Sequence, residues 1–181
     1  MGLAIAVPRY TIEDLDGFPE NGNRYEILDG VLLVTPAPRR MHDLVIARLT
    51  SHFIFAIGPS ERAIIFTHGA IQLPPKTQLH TDLLVQPIQF ERETEWSNVD
   101  DHWLAVEVLS RTSRTYDRDM KCPAYFALGV RVVWLVDLDD ESVEVWTSPT
   151  KSETVRDVLL WRVPESEMQV RIDLAKLFAG V

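Results

Sequence analysis

One cysteine, Cys122, is all the chain contains, so no intrachain disulfide can form. That suits a reducing compartment, and a chain of 181 residues buries enough surface to fold without such staples. No stretch reaches the ~18 apolar residues that a membrane span needs. The apolar run Met1–Pro8 has neither a basic region ahead of it nor a cleavage-site pattern. The expectation is a cytoplasmic protein without a membrane. Net positive charge is lacking too: the balance is −9. This argues against a nucleic-acid coat protein, because Lys and Arg drive phosphate binding. An enzyme holding nucleic acid through a local basic patch and a metal ion stays open. Basic residues do gather at Arg39–Arg40 and over Arg111, Arg114, Arg118 and Lys121, either as such a patch or as a solvated face. GxSxG, P-loop and GxGxxG motifs are absent, and with them support for serine-hydrolase, NTPase and dinucleotide readings. His42, His52, His68, His80 and His102 show no metal-ligand spacing, so no zinc is assigned. Asp137–Glu141 lacks the Ca²⁺-loop pattern and reads as an exposed turn.

What is present is ordinary globular patterning without repeats or linkers, hence one domain over residues 1–181. Thr11–Asp16 reads as a short helix with Thr11 as N-cap and Asp14 at the capping-box distance. Tyr25–Leu28 and Val31–Val34 flank Asp29-Gly30, a two-residue hairpin signal. Val45, Leu49, Phe53 and Ile57 form a helical stripe over His42–Ile57, closed by Gly58-Pro59. Strand patterns follow at Ala63–Leu73, with Gly69 as a bulge, and at Leu83–Val85. Glu91–Asp101 is polar and reads as a surface loop. Trp103–Leu109 and Val132–Val136 are continuous apolar runs, which suit central strands covered on both faces. Tyr116–Leu128 reads as a helix ending at Gly129. Pro123 within it means that the helix either kinks there or becomes regular there. A hairpin at Val143–Trp146, strands near Val158–Trp161 and Met168–Ile172, and a helical turn at Leu174–Phe178 complete an α/β domain with a mixed sheet.

Within Trp103–Leu109 the carboxylate Glu107 has apolar neighbours on both sides. Burying an unpaired carboxylate costs several kcal/mol, so such a group is paired, protonated or bound to metal. A structural ion pair with an arginine is the alternative, but buried pairs are seldom favoured for stability. Glu107 therefore reads as a working site residue. Asp82, just ahead of Leu83–Val85, gives it a second carboxylate on a neighbouring strand. Hard divalent cations favour such oxygens, and Mg²⁺ takes one or two carboxylates while keeping several waters. The Val108 carbonyl would add a third protein oxygen. Lys121 lies in the helix that follows closely on the Glu107 strand, and reads either as a surface lysine or as a group that positions water and offsets phosphate charge. Glu26, by strand alternation, lies on the side of Leu28 and points either into the site or to solvent. Cys122 beside Pro123 reads as packing.

Together these residues bring out a family resemblance. Arg24-Tyr25-Glu26-Ile27-Leu28-Asp29-Gly30 and Pro36-Ala37-Pro38 leading to His42 resemble the Uma-two (Uma-type) restriction endonuclease family. So do Asp82 at a strand start, Val106-Glu107-Val108-Leu109-Ser110, Tyr116-Asp117-Arg118, Lys121, Tyr125, Gly129-Val130 and Trp134-Leu135-Val136-Asp137. The likeness runs from about Tyr10 to Phe178. It implies the PD-(D/E)XK nuclease superfamily, and with it a restriction-endonuclease-like mixed β-sheet flanked by helices, preceded here by a β-hairpin. Asp82 would match the motif aspartate and Glu107 the motif acid. The motif lysine belongs two positions after the acid, where Leu109 stands, so the lysine role passes to Lys121. Thr81 replaces the usual proline before the aspartate, and Arg111-Thr112 the usual Pro-Ser after the strand.

The resemblance implies a Mg²⁺- or Mn²⁺-dependent endonuclease acting on DNA. Asp82 and Glu107 would hold the metal, Lys121 would serve the attacking water, and Glu26 would trim the site. A homodimer is implied on the same ground. Two alternatives stay open: a catalytically inactive nuclease-fold module that binds nucleic acid or protein, and a metal-dependent reaction on a small phosphorylated substrate.

Overall fold

A computed structural model describes residues 9–58, 62–110 and 113–181. The apolar run Met1–Pro8, Pro59 and the Arg111-Thr112 pair fall outside them. A 3₁₀ turn, Ile12–Gly17, takes the place of the first expected helix. Its capping residues are those anticipated, with Thr11 N donating to Asp14 Oδ2 at 2.6 Å.

Strands β1 (Arg24–Leu28) and β2 (Val31–Thr35) form the expected hairpin. Asp29 (φ 50°) and Gly30 (φ 80°) supply the two positive φ angles that the tight turn demands. Helix α1 (Arg40–Ile57) buries Val45, Leu49, Phe53 and Ile57, the stripe read from the sequence, and Ile46 beside them. The single strand expected over Ala63–Leu73 is two: β3 (Ala63–Thr67) and β4 (Ala70–Leu73), which belong to different sheets. His68 at φ 60° turns the chain between them. Gly69 lies so close to Leu84 that a Cβ would sit 2.8 Å from its side chain, so the glycine marks a crossing between sheets, not a bulge.

Strand β5 (Thr77–His80), which the sequence reading missed, ties β1 to β4 in a four-stranded sheet of order β2-β1-β5-β4. A larger sheet has the order β10-β9-β8-β7-β6-β3. Its members are β3, β6 (Leu83–Pro87), β7 (Leu104–Leu109), β8 (Val133–Asp137), β9 (Ser142–Ser148) and β10 (Lys151–Val155). Among the described strands β7 and β8 alone pair in parallel, with Glu107 opposite Leu135. The expected loop over Glu91–Asp101 carries a 3₁₀ turn at Trp96–Asn98.

The continuous apolar runs divide by parity, as a sheet covered on both faces requires. Leu104, Val106 and Val108 of β7 join Trp134 and Val136 of β8 in one core. That core is closed by α1, by the hairpin β11 (Val158–Arg162) and β12 (Gln169–Asp173), and by α4 (Leu174–Leu177). Phe53 meets both Trp134 and Trp161 there, at ring separations of 5.7 Å. Ala105 and Leu109 face the opposite way, with Leu79, Cys122, Tyr125 and Leu135. Glu107 shares the parity of Ala105 and Leu109, so strand geometry alone aims it into this second layer.

Between β7 and β8 the chain makes α2 (Arg114–Tyr116), a π-helical turn (Asp117–Lys121) and α3 (Cys122–Ala127). Pro123 explains the break: it has no N–H to donate to residue 119, and its ring crowds that carbonyl. Cys122 N–H instead reaches back five residues to the Asp117 carbonyl, and regular helix begins around the proline. Gly129 (φ 88°) ends α3. No helix among the described residues is long and apolar enough to cross a membrane.

Candidate active site

The two sheets approach each other where β6 begins. Asp82 N–H donates to the Val106 carbonyl at 3.0 Å, continuing the ladder one step past Leu83. Asp82 Oδ2 then accepts the Val108 N–H at 2.8 Å. The carboxylate thus occupies the place that a further strand residue would have taken. Thr81, at the position where a proline was noted as usual, uses both its N–H (2.9 Å) and its hydroxyl (3.1 Å) to reach the Gly69 carbonyl.

Glu107 lies beside Asp82, 3 % exposed. Its Oε1 is 2.8 Å from Lys121 Nζ and accepts the hydroxyl of Tyr125. Oε2 is outside these bonds. Lys121 is not a surface lysine: at 2 % exposure it also meets Glu26 Oε1 at 3.0 Å and donates to the His80 carbonyl at 3.2 Å. The π turn and α3 put Lys121 and Tyr125 four residues apart, on one helical face, so both reach the same carboxylate oxygen. Glu26, open between site and solvent in the sequence, points inward. It is 1 % exposed and accepts His80 N–H at 2.7 Å, while its Oε2 is buried with no hydrogen-bond partner.

All four residues singled out from the sequence therefore meet, through β1, β6, β7 and the π turn. Sequence reasoning missed three others. Arg24 Nη2 reaches Asp82 Oδ1 at 3.0 Å, His42 Nε2 reaches Asp82 Oδ2 at 3.0 Å, and Tyr125 holds Glu107. Signals for them were present. Arg24 shares strand parity with Glu26, and His42 precedes Val45, Ile46 and Leu49 by three, four and seven positions, extending the buried stripe of α1. The alternative partner for Glu107, an arginine, is not the one found.

Burial dominates the electrostatics. It pushes the Glu107 carboxyl up to about 8; Lys121 pulls the other way, while Asp82, Asp117 and Glu26 add to the rise. Burial also works against the Lys121 ammonium, yet Glu107, Tyr125 and Glu26 hold its pKa well above the usual lysine value. Asp82 runs opposite to Glu107. Burial would raise it, but His42, Arg24 and the Val108 N–H hold it well below the ordinary carboxylate range. Asp117, also buried, is raised by desolvation. Two carboxylates of one site thus sit far apart in acidity, a pattern typical of functional sites.

The four acids Glu26, Asp82, Glu107 and Asp117 face two permanent cations, Arg24 and Lys121. With Glu107 ionised the cluster is short of positive charge, and Glu26 Oε2 has no hydrogen-bond partner. A hard divalent cation fits this donor set as a two-carboxylate site completed by water or phosphate oxygens. Among the described residues no group of three His, Cys, Asp or Glu side chains is placed to cage a metal. Asp82, Glu107, Lys121, Asp117, Arg24 and His42 line a cleft of about 410 Å³.

Mixed sheet, flanking helices and a carboxylate–lysine cluster at the sheet opening define the class: a restriction-endonuclease-like α+β fold. The chain belongs to the Uma2 family, described as "Putative restriction endonuclease", whose model matches residues 12–175. The crystal structure of "a putative nuclease belonging to DUF820" from Anabaena variabilis ATCC 29413 shares the fold at a TM-score of 0.70 and 20% identity. The match covers 94% of this chain and 98% of that one. No curated protein matches the chain.

Proposed function

We propose that this chain, acting as one domain, is a Mg²⁺- or Mn²⁺-dependent endonuclease that hydrolyses DNA phosphodiester bonds. The observation that carries the reading is the meeting of Asp82, Glu107 and Lys121 on the floor of one cleft, Lys121 Nζ lying 2.8 Å from Glu107 Oε1. Asp82 and Glu107 would hold the metal, with the Val108 carbonyl beside them. The ion, when bound, would polarise the phosphate and acidify water. Lys121, held by Glu26 and Glu107, would orient the attacking water and meet charge developing on the phosphate. Glu26 holds Lys121 through Oε1, and its buried Oε2, without a hydrogen-bond partner, would trim the site. Tyr125 fixes Glu107 through Oε1 and leaves Oε2 for other partners. Arg24 and His42 keep Asp82 ionised and must share its oxygens with any metal.

A second reading has a specific observation behind it. Arg24, His42, Lys121 and Tyr125 already engage the two carboxylates, and Leu109 occupies the motif-lysine position, as an inactive binding module would allow. Cleavage of plasmid, linear duplex and single-stranded DNA in Mn²⁺ separates the two. Wild type should cut, while Glu107→Ala and Asp82→Asn, shown folded by circular dichroism, should lose at least ~100-fold in rate, as when a charge-stabilising group is removed. Undiminished cutting by folded Glu107→Ala would defeat the assignment. Cytoplasmic location and a homodimer complete the proposal; light scattering in solution decides the latter.

A further inference from the structure

We infer that the cleft takes an unpaired nucleic-acid strand, one or two nucleotides deep, in preference to an intact duplex. The inference rests on the nuclease reading for its site and goes beyond it in naming the substrate's form. Three observations carry it.

The first is depth. Asp82 and Glu107 are 2 % and 3 % exposed, so the reacting groups lie at the floor of the cleft, below the exposed rim Pro36–Arg39. A phosphate on a rigid duplex would have to pass that rim together with its neighbours. A single strand can thread one phosphate downward by rotating its own backbone.

The second is charge. A duplex carries one negative charge per ~1.7 Å of axis and is ordinarily held through several Lys and Arg contacts. Among the described residues, three arginines around the site are already committed. Arg24 pairs with Asp82, Arg114 with Asp137 and Asp139, and Arg118 with Glu144. At the rim Arg39 and its neighbour Arg40 are exposed and form no ion pair among the described residues. With a net charge of −9 on the chain, a row of duplex phosphates finds little to meet it, while one or two phosphates can be met by Arg39, Arg40 and a metal.

The third is the wall. Pro36, Ala37, Pro38 and Leu138 give the cleft an apolar part of its lining beside its polar groups. Its volume of about 410 Å³ lies at the lower end of pockets that hold one small ligand. A base face can lie against such a wall only when it is unstacked from its neighbours.

The test is fluorescence anisotropy with an end-labelled oligothymidylate and a blunt duplex of equal length, in Ca²⁺ so that binding is read without turnover. The single strand should bind roughly tenfold more tightly, as contact with an unstacked base implies. Its salt slope should be about −1, the value for one or two phosphates on a single strand. Ala37→Glu, an exposed rim change that adds bulk and negative charge, should weaken strand binding at least tenfold and leave the thermal melting profile unchanged. Equal or tighter duplex binding, a steep slope, an indifferent Ala37→Glu variant, or binding to neither ligand would each overturn the inference. The nuclease reading fails separately. A protein that cuts only duplex in Mn²⁺ sinks this inference and leaves that reading standing. One that binds the strand but cuts nothing in any divalent metal does the reverse.

Discussion

At the scale of single residues, the molecule turns on one carboxyl group whose acidity is set by its surroundings. Glu107 is buried among three other acids, and its pKa is raised from 4.5 to about 8. The folded state therefore holds this proton more tightly than the unfolded chain does. The stabilisation is complete below pH 4.5 and is lost as pH rises toward 8, at up to about 1.4 kcal/mol per pH unit from this group. Urea melts across that window should show a falling component that Glu107→Gln removes; an unchanged slope in the variant would refute it. Asp82 acts in the other direction, contributing above the ordinary carboxylate range and losing its contribution only in strong acid. A divalent cation on Glu107 requires its ionised form. Mn²⁺ binding at pH 7 should therefore release about one proton, read by calorimetry in buffers of different ionisation enthalpy.

At the scale of elements, the π turn and the glycine after α3 decide where Lys121 and Tyr125 stand. Pro123 forces the extra residue, and the wider turn sets the face on which Lys121 projects. Gly129 then turns the chain at φ 88°, where an added Cβ would lie 2.6 Å from the Asp100 carbonyl oxygen. That contact is with backbone, which cannot swing aside. Gly129→Ala should cost at least ~1–2 kcal/mol, the usual penalty of a left-handed conformation with a side chain. The measurement is the urea midpoint, with activity per folded molecule expected to persist. A midpoint equal to wild type would mean that the connection to β8 relaxes at no cost.

At the scale of the whole molecule, the site is a seam. Arg24 and Glu26 come from the four-stranded sheet, Asp82 and Glu107 from the six-stranded one, His42 from α1 and Lys121 from the crossover between parallel strands. A ligand bound there grips all these parts and not the unfolded chain. Mn²⁺ at about a hundred times its dissociation constant should add ~2.7 kcal/mol. For a chain of this length that raises the melting temperature by roughly 5–10 °C. Chelation should reverse the shift, and Asp82→Asn should abolish it. An equal shift in the variant would place the ion elsewhere.

Much of this was legible in residue order alone. The Asp-Gly hairpin, the α1 stripe, the two apolar core runs and the helix ended by Gly129 depend on local periods and turn chemistry, which neighbours in sequence determine. Glu107 stood out for the same reason, as a charge inside an apolar period. The strand over Ala63–Leu73 was misjudged because β-branched and apolar residues continue across the break. What divides it is the close approach of Leu84, a contact with another strand. Strand β5 was missed because Thr77–His80 is too short and polar to announce itself before β1 and β4 pair with it. Tertiary structure alone decided that Glu26 turns inward, that Lys121 is buried, and that Arg24 and His42 divide the oxygens of Asp82. Those outcomes depend on distances between segments far apart in the chain, and alternation along a strand or helix gives a side chain's direction but not what waits there.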